Sequence, residues 1–263
     1  MRQREFPSKY QLNESYFNII DNANKAYFLG FLYADGYIDE GFDRKGNFKR
    51  RGQTLNLTLK LEDTYILELL RKDIQSEKPL MYIKSQDKYR LCICSKHLVS
   101  SLVKLGCGQA KTFTLKFPTE DQVPKHLLSH FIRGYFDGDG TIYFKEGVQY
   151  VTSVQSSFQI ISTMQFVSSV GTLFKNLLDL NMYIRKANIK NKEQHVYRLQ
   201  YGGRLSTVKI LEFLYKDKGD MYLTRKYDKF LIVKNYLKKP AGKRRSKIEL
   251  QDLKNRSKQP SCL

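Results

Sequence analysis

The chain has 263 residues, 41% hydrophobic and 13% aromatic, enough to bury a core in one large domain or two small ones and too apolar for a disordered chain. Its net charge is +20, and +13 remains on the body once the +7 of the stretch after residue 237 is set aside. A basic globular body reads first as a binder of nucleic acid, and the absence of an 18-residue apolar run excludes a membrane-spanning helix.

Residues 1–24 read as a polar entry arm. They contain no apolar h-region, so no secretory signal is expected, and the chain is placed inside a cell, in a bacterial or phage-host cytoplasm or an organelle matrix. A first helix then leads into Ala34-Asp35-Gly36. A strand follows in "TLNLTLKL" from Thr54, and a helix in "TYILELLRKDI", with apolar residues near a 3.6 spacing. Strands are expected in "PLMYIKS" and "YRLCICS", and a closing helix in "KHLVSSLVKLG". Cys92 and Cys94 lie in the second of these strands and are read as facing opposite sides. With no Cys-x-x-Cys and no His/Cys pairing, they are expected to be reduced thiols rather than zinc ligands. A linker is expected in "FPTEDQVP", Phe117 to Pro124.

The same order then recurs. A helix leads into Gly138-Asp139-Gly140, followed by "SSFQIIS", "MQFVSSVGTLFKNLL", "NMYIRKA", "VYRLQY" and the closing helix "LSTVKILEFLY". Two phrases repeat outright. Gly30-x-x-x-Ala34-Asp35-Gly36 returns as Gly134-x-x-x-Gly138-Asp139-Gly140, and Tyr89-Arg90-Leu91 returns as Tyr197-Arg198-Leu199. Both pairs stand in the same order at nearly the same offset, which identifies a duplicated unit. The predicted fold is α+β, with two αββαββα halves over 25–120 and 121–237 and a basic, flexible tail over 238–263.

Gly30 and Ala34 share one helix face, as do Gly134 and Gly138. A glycine inside a helix costs about 1 kcal/mol relative to alanine. Keeping one in both copies predicts that the two helices pack backbone to backbone about a pseudo-twofold axis. Their ends then meet, Gly36 and Gly140 turn the chain away, and Asp35 and Asp139 come together. Two carboxylates at helix C-termini repel each other and the macrodipole, an arrangement suited to a hard divalent cation such as Mg²⁺ or Mn²⁺. Two symmetric acids on a basic body fit a cut in both strands of DNA.

Other patterns carry less. Asp137-x-Asp139-Gly140 does not form an EF-hand loop, because Ile142 stands where glycine is required and Val148 where the closing Glu belongs. His126 and His130 are four apart on a helix but lack a third ligand, and read as surface or interface histidines.

"FLGFLYADG" (Phe28 to Gly36) and "IRGYFDGDG" (Ile132 to Gly140) resemble the two motif copies of the LAGLIDADG homing endonucleases, and the similarity extends over about residues 8–237. The resemblance implies a monomer whose two four-stranded antiparallel sheets form a saddle over the DNA major groove. It further implies cleavage of both strands across the minor groove with Mg²⁺, leaving short 3′ overhangs. Carried onto this sequence, the metal ligands are Asp35 and Asp139, assisted by the main-chain carbonyls of Ala34 and Gly138. The family also places basic or amide residues around the metal-bound waters. By the internal repeat these are Lys96 and Arg204, with Lys60 and Gln159 as second choices. Tyr33 departs from the motif where the second copy has Asp137, with little expected effect on the chemistry.

DNA contacts are expected from alternating strand residues: Arg44, Lys49, Arg50, Asn56, Thr58, Lys84, Arg90, Tyr143, Lys145, Gln155, Arg185 and Arg198. The partner is long, specific double-stranded DNA, with intron RNA as a further candidate. The competing reading is a non-cleaving binder on the same fold, an intron RNA maturase or a transcription regulator. An intein is disfavoured, because Met1 replaces the initiating Cys or Ser and no His-Asn pair closes the chain.

Overall fold

The computed structural model describes residues 10–42, 47, 53–146, 154–187 and 196–237. Arg44, Lys49, Arg50 and the basic tail lie outside them. Helix α1 (Ala23–Asp35) starts where the Asn22 side chain accepts a hydrogen bond from the Lys25 amide, and it leads into β1 (Tyr37–Asp39). β2 (Thr54–Lys60), α2 (Thr64–Asp73), β3 (Met81–Ile83), β4 (Lys88–Cys94) and α3 (Lys96–Lys104) complete the first half. The second half repeats the plan with α4 (Leu128–Asp139), β5 (Thr141–Glu146), β6 (Val154–Ser162), α5 (Met164–Leu178), β7 (Tyr183–Lys186), β8 (Tyr197–Gly202) and α6 (Arg204–Tyr215). One element exceeds the expectation: a further helix, α7 (Thr224–Leu237), packs on α6 and β5.

The strands form two antiparallel four-stranded sheets, ordered β1-β2-β4-β3 and β5-β6-β8-β7. β2 shows why one face is covered and the other open. Leu55, Leu57 and Leu59 are buried, while Thr54, Asn56 and Thr58 between them are partly exposed. Helices α2 and α3 cover the first sheet, α5 and α6 the second. Cys92 and Cys94 correct the sequence reading. Residues two apart return to the same side of a strand, and both thiols lie on the open face, while Leu91 and Ile93 are buried.

The halves join through α1 and α4. The contact is reciprocal. A Cβ on Gly30 would overlap the Phe131 carbonyl and sit 2.9 Å from the Tyr135 amide nitrogen. One on Gly134 would overlap the Tyr27 carbonyl and sit 2.8 Å from the Phe31 amide nitrogen. Small residues at these positions let the two backbones touch. Gly36 and Gly140 do not act as left-handed caps, because their φ values are −70° and −78°. Glycine is required there because a Cβ would strike Leu32 or Phe136 in the preceding turn.

At one motif position where the halves differ, Tyr33 against Asp137, two side chains do the same work. Tyr33 donates its hydroxyl to the Leu105 carbonyl just beyond α3. Its counterpart Asp137, wholly buried, accepts from the Tyr215 hydroxyl at 2.8 Å, the Tyr27 hydroxyl at 3.1 Å and the Leu223 amide at 2.9 Å. Each ties a motif helix to the closing end of its own half. Nearby Arg133, 1% exposed, stacks over the Tyr27 ring and donates to the Met221 and Leu214 carbonyls, both at 2.9 Å.

Candidate active site and nucleic-acid interface

Asp35 and Asp139 are the last residues of α1 and α4, so the helix contact carries them to one place. A Cβ on Gly138 would overlap the Ala34 Cβ and lie 3.3 Å from Asp35 Oδ2. Each carboxylate is open to solvent on one side and crowded by protein on the others. Crowding is the larger cause, and the Asp139 charge the second, of an Asp35 carboxyl pushed up to about 6. Asp139 is raised mainly by the same crowding, against the pull of Lys226 and Lys111. Two hard oxygen donors that disfavour each other's charge, with an open side for water and phosphate, fit a divalent cation. Among the described residues no third His, Cys, Asp or Glu joins them, so water and phosphate oxygens would fill the remaining positions.

The cations that act on this pair are Lys226, Lys111 and, for Asp35, also Arg225. Lys226 on α7 is 5% exposed, and its Nζ donates to the carbonyls of Phe136 (2.6 Å), Asp137 (2.7 Å) and Gly138 (3.3 Å). It thereby caps the last carbonyls of α4, of which Phe136 also accepts from the Gly140 amide. Burial pushes its ammonium down to about 8. Lys111 follows α3, and its Nζ donates to the Gly36 carbonyl just past α1. It lines a cavity of about 260 Å³ that also reaches Asp139, Tyr135 and Ser162. One lysine thus stands at the end of each motif helix. Arg225 is anchored away from the pair by buried Asp63, at 3.1 Å.

Lys96 and Arg204 are not brought to the carboxylates. β1 leads away from Asp35, and its far residue Asp39 pairs with Thr54, which pairs with Cys94. Lys96 lies two residues beyond that end and is exposed. Arg204 likewise follows Gly202, which pairs with Ser157 beside Tyr143, outward from Asp139. Its Nη1 donates to the Tyr236 carbonyl at 2.9 Å. Lys60 is exposed at the inner end of β2, and the Gln159 amide donates to Ser157 Oγ at 2.7 Å. The repeated Tyr-Arg-Leu phrase directed attention to strand ends, whereas the lysines come from a loop and from the unforeseen α7. No spacing marks them: Lys111 is the first basic residue after α3, but Lys216, Lys218 and Arg225 all precede Lys226.

The strand residues expected to contact DNA take the following places. Asn56, Thr58 and Arg90 share the open face of the first sheet, and Tyr143, Lys145, Gln155, Arg185 and Arg198 that of the second. Lys84 is exposed in the turn between β3 and β4.

Two open sheets joined at paired carboxylates define the class of fold: it is that of the two-motif LAGLIDADG homing endonucleases. The solved structures it is similar to include I-LtrWI bound to target DNA, with a TM-score of 0.54 and 12% identity over 95% of this chain and 99% of that one. I-SmaMI bound to uncleavable DNA also gives 0.54, with 14% identity over 80% and 89%. I-AabMI bound to uncleaved DNA gives 0.52, with 12% identity over 83% and 92%. The chain is also 24% identical, over 223 residues, to a probable translation initiation factor IF-2 from Methanocaldococcus jannaschii. That match covers 80% of this chain but only 17% of the initiation factor, so the whole factor's activity does not transfer. No family model matches. Among the described residues no helix is long and apolar enough to cross a membrane.

The raised carboxyls would make the binding of a cation by this pair pH-dependent. Asp35 holds its proton up to about pH 6 in the folded protein, but only up to about 3.9 in the unfolded chain. That proton favours the fold at low pH, and the contribution is lost as pH rises through 6. A cation requires the deprotonated pair, so Mg²⁺ or Ca²⁺ should raise the melting temperature at pH 7.5 and leave it unchanged at pH 5. Thermal unfolding with and without the ion checks this. An equal shift at both pH values would count against the pair as the metal site.

Proposed function

We propose that the protein is a site-specific DNA endonuclease that hydrolyses a phosphodiester bond in each strand, using a divalent cation held by Asp35 and Asp139. The observation that carries this reading is the meeting of two carboxylates and two lysines where the open sheets join. When bound, the cation would supply Lewis-acid activation of water and neutralise charge on the phosphate. The protein's own groups do the rest. The apposed motif helices fix the spacing of the carboxylates before substrate arrives. Lys111 opens into the cavity beside Asp139 and is placed to stabilise negative charge that builds on phosphate oxygens. Lys226 holds the end of α4, and with it Asp139, in one orientation. The open-face Arg, Lys and amide side chains bind the duplex on both sides.

Lys111→Ala is expected to lower the cleavage rate roughly 10²- to 10³-fold with little change in DNA affinity. Lys226→Met should lower both rate and melting temperature, because it uncaps α4. Single-turnover cleavage together with thermal unfolding separates the two roles. Equal effects on rate and stability from both variants would refute the assignment.

The function itself is tested with two substrates: a plasmid carrying the locus of the gene with the insertion removed, and a randomised plasmid library. Linear product in Mg²⁺, absent in EDTA, supports the reading. Sequence-selective DNA retention without cutting in Mg²⁺ or Mn²⁺ would overturn hydrolysis and leave a non-cleaving binder.

A further inference from the structure

The repeated Tyr-Arg-Leu phrase has no part in the carboxylate chemistry, yet its two arginines occupy matching places. Leu91 and Leu199 are buried, and Arg90 and Arg198 face the open sides of β4 and β8. Each stands one open-face row inward from the strand start that follows a motif aspartate. Tyr37 pairs with Asn56, and Arg90 pairs with Thr58. Thr141 pairs with Gln159, and Arg198 pairs with Ile161. Ile161 lines the cavity that reaches Asp139, so this row borders the site.

The two arginines differ in how they are held. Arg90 Nε donates to Thr58 Oγ1 at 3.1 Å, which fixes its fork. Arg198 faces Ile161, and its Nε is buried with no hydrogen-bond partner among the described residues. Its cross-strand neighbour on β7 is a second arginine, Arg185, whose Nη2 donates to Gln200 Oε1 at 3.2 Å. Among the described residues neither guanidinium meets a carboxylate. Like charges directly opposite each other on a sheet are destabilising, and a buried unpaired donor is costly. An incoming ligand with clustered acceptors relieves both. Guanine presents O6 and N7 side by side in the major groove and matches an arginine fork. A phosphate would serve the charge as well, but these side chains rise from the open sheet face, Arg90 beside Thr58 and both one row from the amides Asn56, Gln159 and Gln200, where base edges are read.

We propose that Arg90 and Arg198 each read a guanine, one in either half of the target, at equivalent distances from its centre. We propose further that Arg185 extends the second contact to an adjacent guanine. The inference rests on the endonuclease reading only in requiring that the open sheets bind duplex DNA.

The test is selection of bound duplexes from a randomised library by the full-length chain in Ca²⁺, repeated with Arg90→Ala, Arg198→Ala and Arg185→Ala. Wild-type sites should carry guanine at equivalent positions on either side of the centre. Arg198→Ala should lose that preference in one half only, and Arg90→Ala in the other, each with a roughly 5- to 150-fold loss for the selected site. Arg185→Ala should relax only the neighbouring step. Guanine preferences that survive the substitutions, or an equal loss for all sequences, would show phosphate contacts and overturn the proposal. No sequence-selective binding by the wild type would overturn both this proposal and the endonuclease reading, whereas selective binding without cutting would overturn only the latter.

Discussion

Asp35→Asn and Asp139→Asn should each abolish double-strand cleavage, by at least about 10³-fold, equivalent to about 4 kcal/mol of transition-state stabilisation. Asparagine keeps the shape of the side chain and one oxygen, but loses the charge that would hold a divalent cation on the proposed reading. What makes the experiment discriminating is the accompanying change in stability. In the free protein the two carboxylates crowd together at the ends of two helices, and the Asp139 charge raises the Asp35 carboxyl. Removing either charge relieves that repulsion. The variants are therefore expected to melt at or above the wild-type temperature and to bind DNA at least as tightly. They should also lose the stabilisation by Mg²⁺ or Ca²⁺ that is expected for the wild type at pH 7.5. Single-turnover cleavage, thermal unfolding and a binding titration on the same preparations check all three. Full cleavage by either variant would refute the paired-acid mechanism. Loss of cleavage accompanied by a lower melting temperature would point to a structural role instead.

The largest effect on stability is expected from a single methyl group. Gly134→Ala puts a Cβ onto the Tyr27 main-chain carbonyl, and Gly30→Ala does the same at Phe131. Neither obstacle is the end of a flexible side chain, so the helices must separate. That separation breaks the contact that joins the halves and loosens the packing of wholly buried Tyr27, Phe28, Phe31 and Phe131. Each change should cost at least about 3 kcal/mol, even though alanine favours an isolated helix. For a chain of this size that is a fall of roughly 6–12 °C in melting temperature. Gly202→Ala is the control, since nothing lies within 4 Å of a Cβ there. A melting temperature within about 2 °C of wild type for Gly134→Ala would show that the helices do not meet as described.

The helix contact was legible because it leaves a periodic trace. Gly30 and Gly134 are misfits in apolar helices, and a misfit kept in both copies points to backbone contact. The open faces were legible for the same kind of reason: alternation assigned Asn56, Thr58, Arg90 and Arg198 once the strands were placed. The site lysines were not. Lys111 and Lys226 act by reaching main-chain carbonyls at helix ends, and a carbonyl acceptor puts no constraint on which residue type carries it. Nothing in the sequence therefore registers the meeting. Helix α7 was missed because its apolar residues, Phe230 and Val233 among them, are interleaved with Lys226, Lys229 and Lys234, so that the stretch reads as polar. Buried Arg133 could not have been anticipated either, because its three acceptors are all main-chain carbonyls between Leu214 and Met221.

On the endonuclease reading, the reciprocal seat of Gly30 and Gly134 also bears on what kind of target the protein would recognise. Two identical subunits meeting through that contact would be bound to a palindrome, since every change in one sheet would appear in the other. Here both partners belong to one chain, and only the seat has to stay alike. Tyr33 stands opposite Asp137 and Thr58 opposite Ile161, so the halves have drifted apart without disturbing the glycines between them. A sequence read by these two sheets would not need to repeat itself in reverse, and each flank would be altered by changing residues on one sheet alone.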